Sequence, residues 1–233
     1  MLGIVAALPW ELKSLTRETI APGSWKAISP RTLVALSGIG ADRAEDAAAL
    51  LIGQGATALM AWGYAAALDD GLKAGSLLLP ERVIGASGES YAVDADWHHR
   101  LYLAAAFKVP VRIAALVQSE AVVKTAAAKR ALLARTGAVA ADMESAAHAR
   151  AAARHGLPFV AVRSIIDTAS TDIPETLLQA LDVDGGLNAA KLLRSAGRAP
   201  ADWIKILRLC IQFSAAQRTL KKTKRFVLDN LPA

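Results

Sequence analysis

The chain has 233 residues, of which 54% are hydrophobic, and this is ample for one buried core. Cys210 is the only cysteine, which excludes an intrachain disulfide and a cysteine-based metal site. The formal net charge is +6, but the basic excess lies mostly beyond Lys191 and no recognised nucleic-acid-binding module accompanies it, so nucleic acid is not an expected partner. The default prediction is a soluble enzyme of a reducing, cytoplasmic compartment.

Short, continuously apolar runs alternate along the chain with alanine-rich stretches. The predicted strands are LGIVAAL (2–8), TLVALSG (32–38), TALMAWG (57–63), SLLLPERVI (76–84), VRIAALV (111–117), GAVAAD (137–142) and LPFVAVRSI (157–165). Continuous apolar runs are typical of strands buried on both faces, which favours a largely parallel sheet. Predicted helices cover 41–55, 121–137 and 143–156, and each ends at a glycine. This alternation predicts an α/β sandwich.

The division of the chain is predicted from changes in composition. No linker or repeat is evident before residue 190, so residues 1–190 are expected to form one domain and residues 191–233 a basic C-terminal helical extension. In the extension, apolar residues recur at helical spacing: Trp203, Ile206, Leu207, Cys210 and Phe213. Such a helix could lie in a membrane interface, or it could pack on the domain or on a second subunit with its basic side in solvent.

No uninterrupted apolar run reaches the roughly 20 residues that span a bilayer. The opening MLGIVAALPW is interpreted as a buried strand, because it lacks the basic start and the small-residue cleavage site of a signal peptide.

Polar residues follow most of the predicted strands. They include Glu11, Ser37, Tyr64, Glu144 and Asp167. In open α/β sheets, ligands bind outside the carboxyl ends of the strands, so we expect Glu11, Glu144 and Asp167 to lie at one rim although they are distant in sequence. The four histidines show no metal-ligand spacing, and no metal site is predicted.

Each acid also has a simpler interpretation. Glu11 could be a solvent-facing glutamate at a helix start, and Asp167 could be a cap or turn residue. Glu144 could be a first-turn carboxylate favoured by the helix dipole, a contribution of about 0.3–1 kcal/mol. Asp142 is expected to cap the helix that follows it.

Four segments resemble, in order and spacing, the motifs of the nucleoside phosphorylase and methylthioadenosine/S-adenosylhomocysteine nucleosidase superfamily. They are GIVAALPWELKSL, LVALSGIGADRAEDAAALLI, ALMAWGYAAALDDGLKAGSLLLPERV and AVAADMESAAHARAAARHGLPFVAVRSIIDTAS, together spanning roughly residues 2 to 170. The resemblance implies a three-layer α/β/α sandwich of the nucleoside phosphorylase type, a small-molecule nucleoside substrate, a homodimer and no cofactor. Within the superfamily, WGYAAALDDGLKAGSLLLPERV and SGIGADRAE most resemble the hopanoid-associated phosphorylase branch, which removes adenine from adenosylhopane, a lipid-linked nucleoside.

The resemblance also implies roles for individual residues. Asp167 matches the general acid that donates a proton toward N7 of the purine as the glycosidic bond breaks. Glu144 matches the residue that accepts hydrogen bonds from the ribose hydroxyls, and Met143 would pack on the sugar. Glu11 matches the glutamate that positions water in the nucleosidases.

Other positions are implied to border the ligand. Val123 lies in the SEAVV segment, where the family holds the adenine edge, although an ordinary strand-to-helix connection is an equal alternative. Ser37 and Tyr64 follow strands that would border the substrate. Gly38 and Arg43 are the candidates for binding phosphate, because the helix after SGIG would present its N-terminus to an anion.

The sequence departs from the family pattern in two places. The glycine-rich GSAGG segment of the family is GYAAA here, from Gly63 to Ala67, and the residue before Asp167 is Ile166 rather than serine. These changes put activity on small methylthio substrates in doubt and favour a bulky or lipid-linked 5′ substituent.

Several alternatives stay open at the level of sequence. The nucleophile could be phosphate or water, and the substrate could still be methylthioadenosine or S-adenosylhomocysteine. A protein that binds a nucleoside lipid without catalysis is a further alternative, against which the retention of Glu11, Glu144 and Asp167 speaks. A dinucleotide-binding oxidoreductase is disfavoured, because the acid expected about 20 residues after SGIG is missing.

Overall fold

The fold is a nine-stranded mixed sheet with helices on both faces, seen in a computed structural model that describes residues 1–180 and 202–231 together with 182, 186, 188, 191, 192 and 194. The strands are β1 Leu2–Ala6, β2 Ser24–Ser29, β3 Thr32–Leu36, β4 Ala58–Ala67, β5 Leu77–Ile84, β6 Ser90–Ala92, β7 Val111–Gln118, β8 Ala140–Asp142 and β9 Phe159–Asp167. The helices of the described residues are α1 Pro9–Leu15, α2 Ala41–Gly53, α3 Ala95–Ala105, α4 Ala126–Thr136, α5 Ser145–Arg154, α6 Glu175–Gln179 and α7 Asp202–Asp229.

Strand pairing closes part of the sheet on itself. The strand order is β2-β3-β1-β4-β8-β7-β5-β6, and β9 pairs with both β4 and β5, so that β4, β9, β5, β7 and β8 form a ring. The predicted largely parallel sheet is in fact mixed, because the pairs β2–β3, β4–β8, β5–β6 and β5–β9 are antiparallel. The ring brings the ends of β4, β7, β8 and β9 together.

Two separate apolar clusters cover the two faces of the sheet. One contains the buried Leu12 of α1, Trp97 of α3 and Leu220 of α7, and the other contains Leu51 of α2 and Ala149 of α5. The helices therefore form a layer on each side of the strands. The predicted three-layer α/β/α sandwich is confirmed.

Several predicted boundaries were wrong. The third predicted strand was expected to end at Gly63, but β4 continues through the GYAAA segment to Ala67. Helix α4 begins at Ala126 rather than at 121, because the hydroxyl of Thr125 caps it by accepting the Ala128 N–H at 3.1 Å. Strand β2 was missed because its residues are exposed or half-buried and form no apolar run.

The C-terminal helix α7 packs against α1, α3 and β9. The apolar face predicted for it is only partly the packing face, since Ile206 is buried and Phe213 half-buried, whereas Leu207 is 63% exposed and Cys210 is also exposed. Apolar residues lie on both sides of this helix, and the side centred on Leu209 is the one that packs. Of the described helices, none is both long and apolar enough to cross a membrane.

Candidate active site

Glu11 is the first of the predicted site residues along the chain. Strand β1 ends at Ala6 and Pro9 starts α1, an early helical position that suits proline. The Glu11 side chain is 3% exposed, and its Oε2 accepts the N–H groups of Ala7 and Leu8 at 2.8 and 2.9 Å. Its Oε1 accepts the Tyr64 N–H at 2.8 Å, which ties α1 to β4. The solvent-facing interpretation of Glu11 is therefore wrong.

Gly63 allows two charged side chains to approach the sheet closely. A side-chain Cβ at this position would overlap the Glu11 carboxylate and would lie 2.7 Å from Nη1 of Arg163. Arg163 is a buried residue of β9, where it pairs in register with Gly63. Glycine is thus required here because the carboxylate and the guanidinium both lie against the backbone.

Arg163 connects this group to the opposite side of the site. Its Nε donates to Oδ2 of Asp142 at 2.7 Å, and its Nη2 donates to the Ser145 hydroxyl at 2.8 Å. Asp142 also accepts the Ser145 N–H, the first of α5, at 3.2 Å. The helix-start role predicted for Asp142 is thus accompanied by an ion pair that was not predicted.

Glu144 lies at the junction of β8 and α5. Its side chain makes no cap hydrogen bond in its own helix, and Oε1 instead accepts the Gly40 N–H at 2.9 Å. Gly40 is the N-cap of α2 and has a positive φ of 107°. The carboxyl of Glu144 therefore occupies the position at the start of α2 where an anion would be favoured.

Glu11, Asp142 and Glu144 surround Arg163 and share one electrostatic environment. We call these four residues the acid cluster. Burial raises the pKa of Glu11, and the Arg163 guanidinium partly opposes this. Burial, reinforced by Asp142, raises the pKa of Glu144 to about 8, and Glu11 adds to the rise. The cluster thus contains three carboxyl groups and one guanidinium.

Asp167 ends β9 in a different environment, paired with the buried ammonium of Lys129 from α4. Burial raises the pKa of Asp167, and the neighbouring Lys129 opposes this. Asp167 lies four positions after Arg163, a span on the order of 13 Å along a strand. The buried ion pair excludes the simpler interpretation of Asp167 as only a cap or turn residue.

Of the two candidate phosphate residues, Arg43 lines a separate cavity of about 360 Å³, together with Ser37, Asp46 and others. The Arg43 side chain lies over Gly38, where a Cβ would be 2.8 Å from its Nη1. Ser37 is buried, and its hydroxyl donates to the Gly38 carbonyl at 2.8 Å.

The remaining predicted residues border different spaces. Val123 is half-buried in a cavity of about 750 Å³ that Gln118, Ser119 and Arg135 also line. Met143 is half-buried between β8 and α5. Tyr64 turns its ring toward Phe213 of α7, with ring centroids 5.5 Å apart, and its hydroxyl is buried without a hydrogen-bond partner among the described residues.

Sequence reasoning missed three residues of this region: Gly63, Lys129 and Arg163. Arg163 had a detectable signal, because a charged residue inside the apolar run LPFVAVRSII must find a buried partner. Lys129 had none, since a lysine among alanines in a helix ordinarily faces solvent. Among the described residues, no group of three or more His, Cys, Asp or Glu could hold a metal ion.

The chain is thus a three-layer α/β protein with buried acids at the ends of its strands. The family model described as Phosphorylase superfamily matches residues 2–198. The chain therefore belongs to the phosphorylase superfamily, and it is an enzyme of the phosphorylase or nucleosidase class. A search of curated proteins finds no significant match.

Solved structures of similar fold cover nearly the whole chain. The 5′-methylthioadenosine/S-adenosylhomocysteine nucleosidase of Helicobacter pylori with butyl-thio-DADMe-Immucillin-A has a TM-score of 0.74 and 18% identity over 99% of this chain and 98% of that one. The enzyme of that name from Neisseria meningitidis, in complex with methylthio-immucillin-A, has a TM-score of 0.73 and 18% identity over 99% of each chain. Native futalosine hydrolase of Helicobacter pylori has a TM-score of 0.71 and 16% identity over 99% and 97%. At these identities the similarity concerns the fold.

Proposed function

We propose that the protein cleaves the N-glycosidic bond of a 5′-substituted adenine nucleoside and releases adenine. Two buried, charged groups of residues at the strand ends carry this proposal. One is the acid cluster, which has more carboxyl groups than cations, and the other is the Asp167–Lys129 ion pair. Breaking a glycosidic bond creates positive charge on the sugar and negative charge on the leaving base. The acid cluster can stabilise the positive charge on the sugar, and the Asp167–Lys129 pair can neutralise the leaving base by giving it a proton.

Asp167 is the general acid of the proposed reaction. Adenine leaves poorly as an anion, so a proton delivered to its ring nitrogen lowers the barrier. Burial raises the pKa of Asp167, which keeps a proton on the carboxyl closer to neutral pH than for an exposed aspartate.

The acid cluster holds and stabilises the sugar. Glu11 places negative charge beside a C1′ atom that takes on oxocarbenium-like character. With its pKa raised to about 8, the Glu144 carboxyl is largely protonated at neutral pH. A protonated carboxyl can donate one hydrogen bond and accept another, which suits two neighbouring ribose hydroxyls.

Water is the nucleophile that the charges favour. A phosphate dianion would meet the acids of the cluster, and two unit charges about 4 Å apart repel by roughly 4 kcal/mol at an effective dielectric near 20. The Gly40 N–H at the start of α2 already donates to Glu144. The cavity lined by Ser37 and Arg43 is the alternative phosphate site, which product analysis tests.

The 5′ substituent of the proposed substrate is bulky and apolar, with adenosylhopane as the leading candidate from the sequence resemblance. Tyr64, Trp10 and Phe213 form an aromatic group beside Glu11, and the Trp10 and Phe213 rings meet edge to face at 6.0 Å. An apolar substituent would find contact area there. Methylthioadenosine and S-adenosylhomocysteine are the alternative substrates, which the nucleosidase fold of the similar structures favours.

A lipid-linked substrate would be collected at a membrane surface by α7. Its solvent side carries Ile204, Leu207 and Ile211, which are 78%, 63% and 65% exposed, followed by exposed Arg218 and Lys222. Apolar and basic residues on one side of a helix suit an anionic lipid surface. Sedimentation with anionic vesicles tests this, and binding that survives substitution of all three apolar residues by serine would refute it.

The homodimer implied by the resemblance is also part of the proposal, and light scattering of the purified protein tests it. A mass of one chain at micromolar concentration would refute it.

The decisive experiment for the function is an adenine-release assay. The protein is incubated with adenosines carrying methylthio, homocysteinyl and long alkyl 5′ substituents, with and without phosphate, and the sugar product is identified. We expect free adenine and free ribose product, fastest for the alkyl substrate. Absence of adenine from every substrate would refute the proposed function, and a sugar 1-phosphate would refute water as the nucleophile.

A further inference from the structure

Lys129 is a buried cation whose side chain forms an ion pair with Asp167. Its side chain is 0% exposed in the second turn of α4. An ammonium group has three protons, and Nζ meets three acceptors: the Asp167 carboxylate, the Thr168 carbonyl at 2.8 Å and the Thr171 carbonyl at 3.0 Å. Each proton therefore has an acceptor, which is the condition for keeping a charged lysine in the interior.

Backbone contacts also hold the segment that follows Asp167 against the start of α4. Asp172 accepts the Ala126 N–H at 2.8 Å, and the Ile173 N–H donates to the Lys124 carbonyl at 2.8 Å. Lys129 lies at the centre of this junction and holds Asp167 through Oδ2. Among the contacts of the described residues, Oδ1 receives no hydrogen bond, and this oxygen is left for a substrate.

We propose that Lys129 is a positioning residue for Asp167, fixing one carboxyl oxygen and stabilising the carboxylate that forms when the other gives its proton to the leaving base. This inference rests on the proposed function. In the step, the proton moves from Oδ1 of Asp167 to a ring nitrogen of adenine while the electron pair of the glycosidic bond moves to the base. The ammonium keeps its three protons, and a neutral acid beside a cation becomes an ion pair.

The surroundings of Asp167 assign this effect to Lys129. Burial raises the pKa of Asp167, and the charge and hydrogen bond of Lys129 oppose the rise. From α7, Gln212 reaches only the Thr171 hydroxyl and carries no charge, and on β4 the register partner of Asp167 is Ala66. Removing the ammonium therefore leaves burial to act alone, and Asp167 should hold its proton to a higher pH.

The test compares Lys129→Gln, which keeps hydrogen-bond donors but not the charge, with Lys129→Arg, which keeps the charge. The matched control is Lys26→Met, which removes the lysine of an exposed ion pair with Glu18. For K129Q we expect kcat to fall about tenfold or more, because a weaker acid delivers its proton less readily. The alkaline limb of its kcat/KM profile should move to higher pH. In K129R and K26M, the alkaline limb should lie at the same pH as in wild type.

A readout that does not depend on turnover separates this inference from the function. The infrared band of the protonated Asp167 carboxyl, identified by difference against Asp167→Asn, should persist to higher pH in K129Q than in wild type and K26M. An unchanged titration in K129Q would overturn the proposal, even if adenine release is normal. If K129Q does not fold, the K129R variant provides the test. K129R keeps the positive charge, so an Asp167 carboxyl that titrates at higher pH in K129R than in wild type would also overturn the proposal. If wild type releases no adenine while the band shifts as expected, the function fails and the Lys129–Asp167 coupling stands.

Discussion

The acid cluster and the Asp167–Lys129 pair are both buried at strand ends, yet their charges are balanced differently. In the cluster, Arg163 is shared among Glu11, Asp142 and Glu144, whereas Asp167 has a lysine to itself. A balanced pair can lose or gain one proton with its charge compensated. A cluster with more carboxyl groups than cations stabilises a positive charge that forms nearby, such as that on the sugar. In the proposed function, this difference gives proton delivery to the pair and stabilisation of the sugar cation to the cluster.

The largest expected effect comes from breaking the pair with Asp167→Asn. The asparagine cannot donate the proton, so turnover should fall about 10²–10⁴-fold. The change also leaves the Lys129 ammonium buried without a charged partner, which should lower the free energy of unfolding by about 3–5 kcal/mol. Steady-state kinetics and urea unfolding measure the two effects. Near-normal turnover in a folded variant would refute the acid role.

A similar loss of stability, but with a different dependence on pH, is expected when the cluster loses its cation. Arg163→Met leaves three buried carboxyl groups together and should cost about 3–5 kcal/mol of unfolding free energy. Arg163 lowers the pKa of Glu11 and of Glu144, so its removal should make the loss larger at pH 8 than at pH 5. Urea unfolding at both values checks this, with the exposed Arg31→Met as control. A loss independent of pH would contradict the electrostatic account.

Gly63→Ala should disturb the cluster without changing any charge. The added Cβ would overlap the Glu11 carboxylate, so we expect turnover to fall about tenfold or more because groups near the reaction must move. Gly53→Ala is the control, since a Cβ at that helical position meets nothing within 4 Å. Kinetics of both variants give the comparison, and equal effects would show that Gly63 is not a contact point.

A further expected effect concerns the pH dependence of the stability contributed by Glu144. Because its pKa is raised in the folded protein from 4.5 to about 8, the folded state holds this proton more tightly than the unfolded chain. Stability from this group is therefore full below about pH 4.5 and is lost as the pH rises through about 8. Glu144→Gln should flatten this decline in melting temperature, and thermal melts from pH 5 to 9 measure it. An identical decline in both proteins would show that Glu144 is not the titrating group.

The sequence predicted the sandwich because continuous apolar strands and alanine-rich helices have distinct periods. It also indicated that Glu11, Glu144 and Asp167 are not ordinary surface acids, since each follows a buried strand. It could not predict that Lys129 would turn inward, because helix composition does not determine which side of α4 meets β9. The ring that brings Gly63 beside Arg163 depends on strand pairings across about 100 residues of sequence, which local patterns do not encode.

The most direct test of the assignment compares two leaving groups. Asp167→Asn and Glu11→Gln are each assayed by adenine release and by cleavage of a 4-nitrophenyl riboside, whose leaving group needs no proton. If the pair serves the base and the cluster serves the sugar, Asp167→Asn should lose adenine release but keep close to wild-type nitrophenol release, while Glu11→Gln should lose both. Equal losses on both substrates in the two variants would contradict the division of roles.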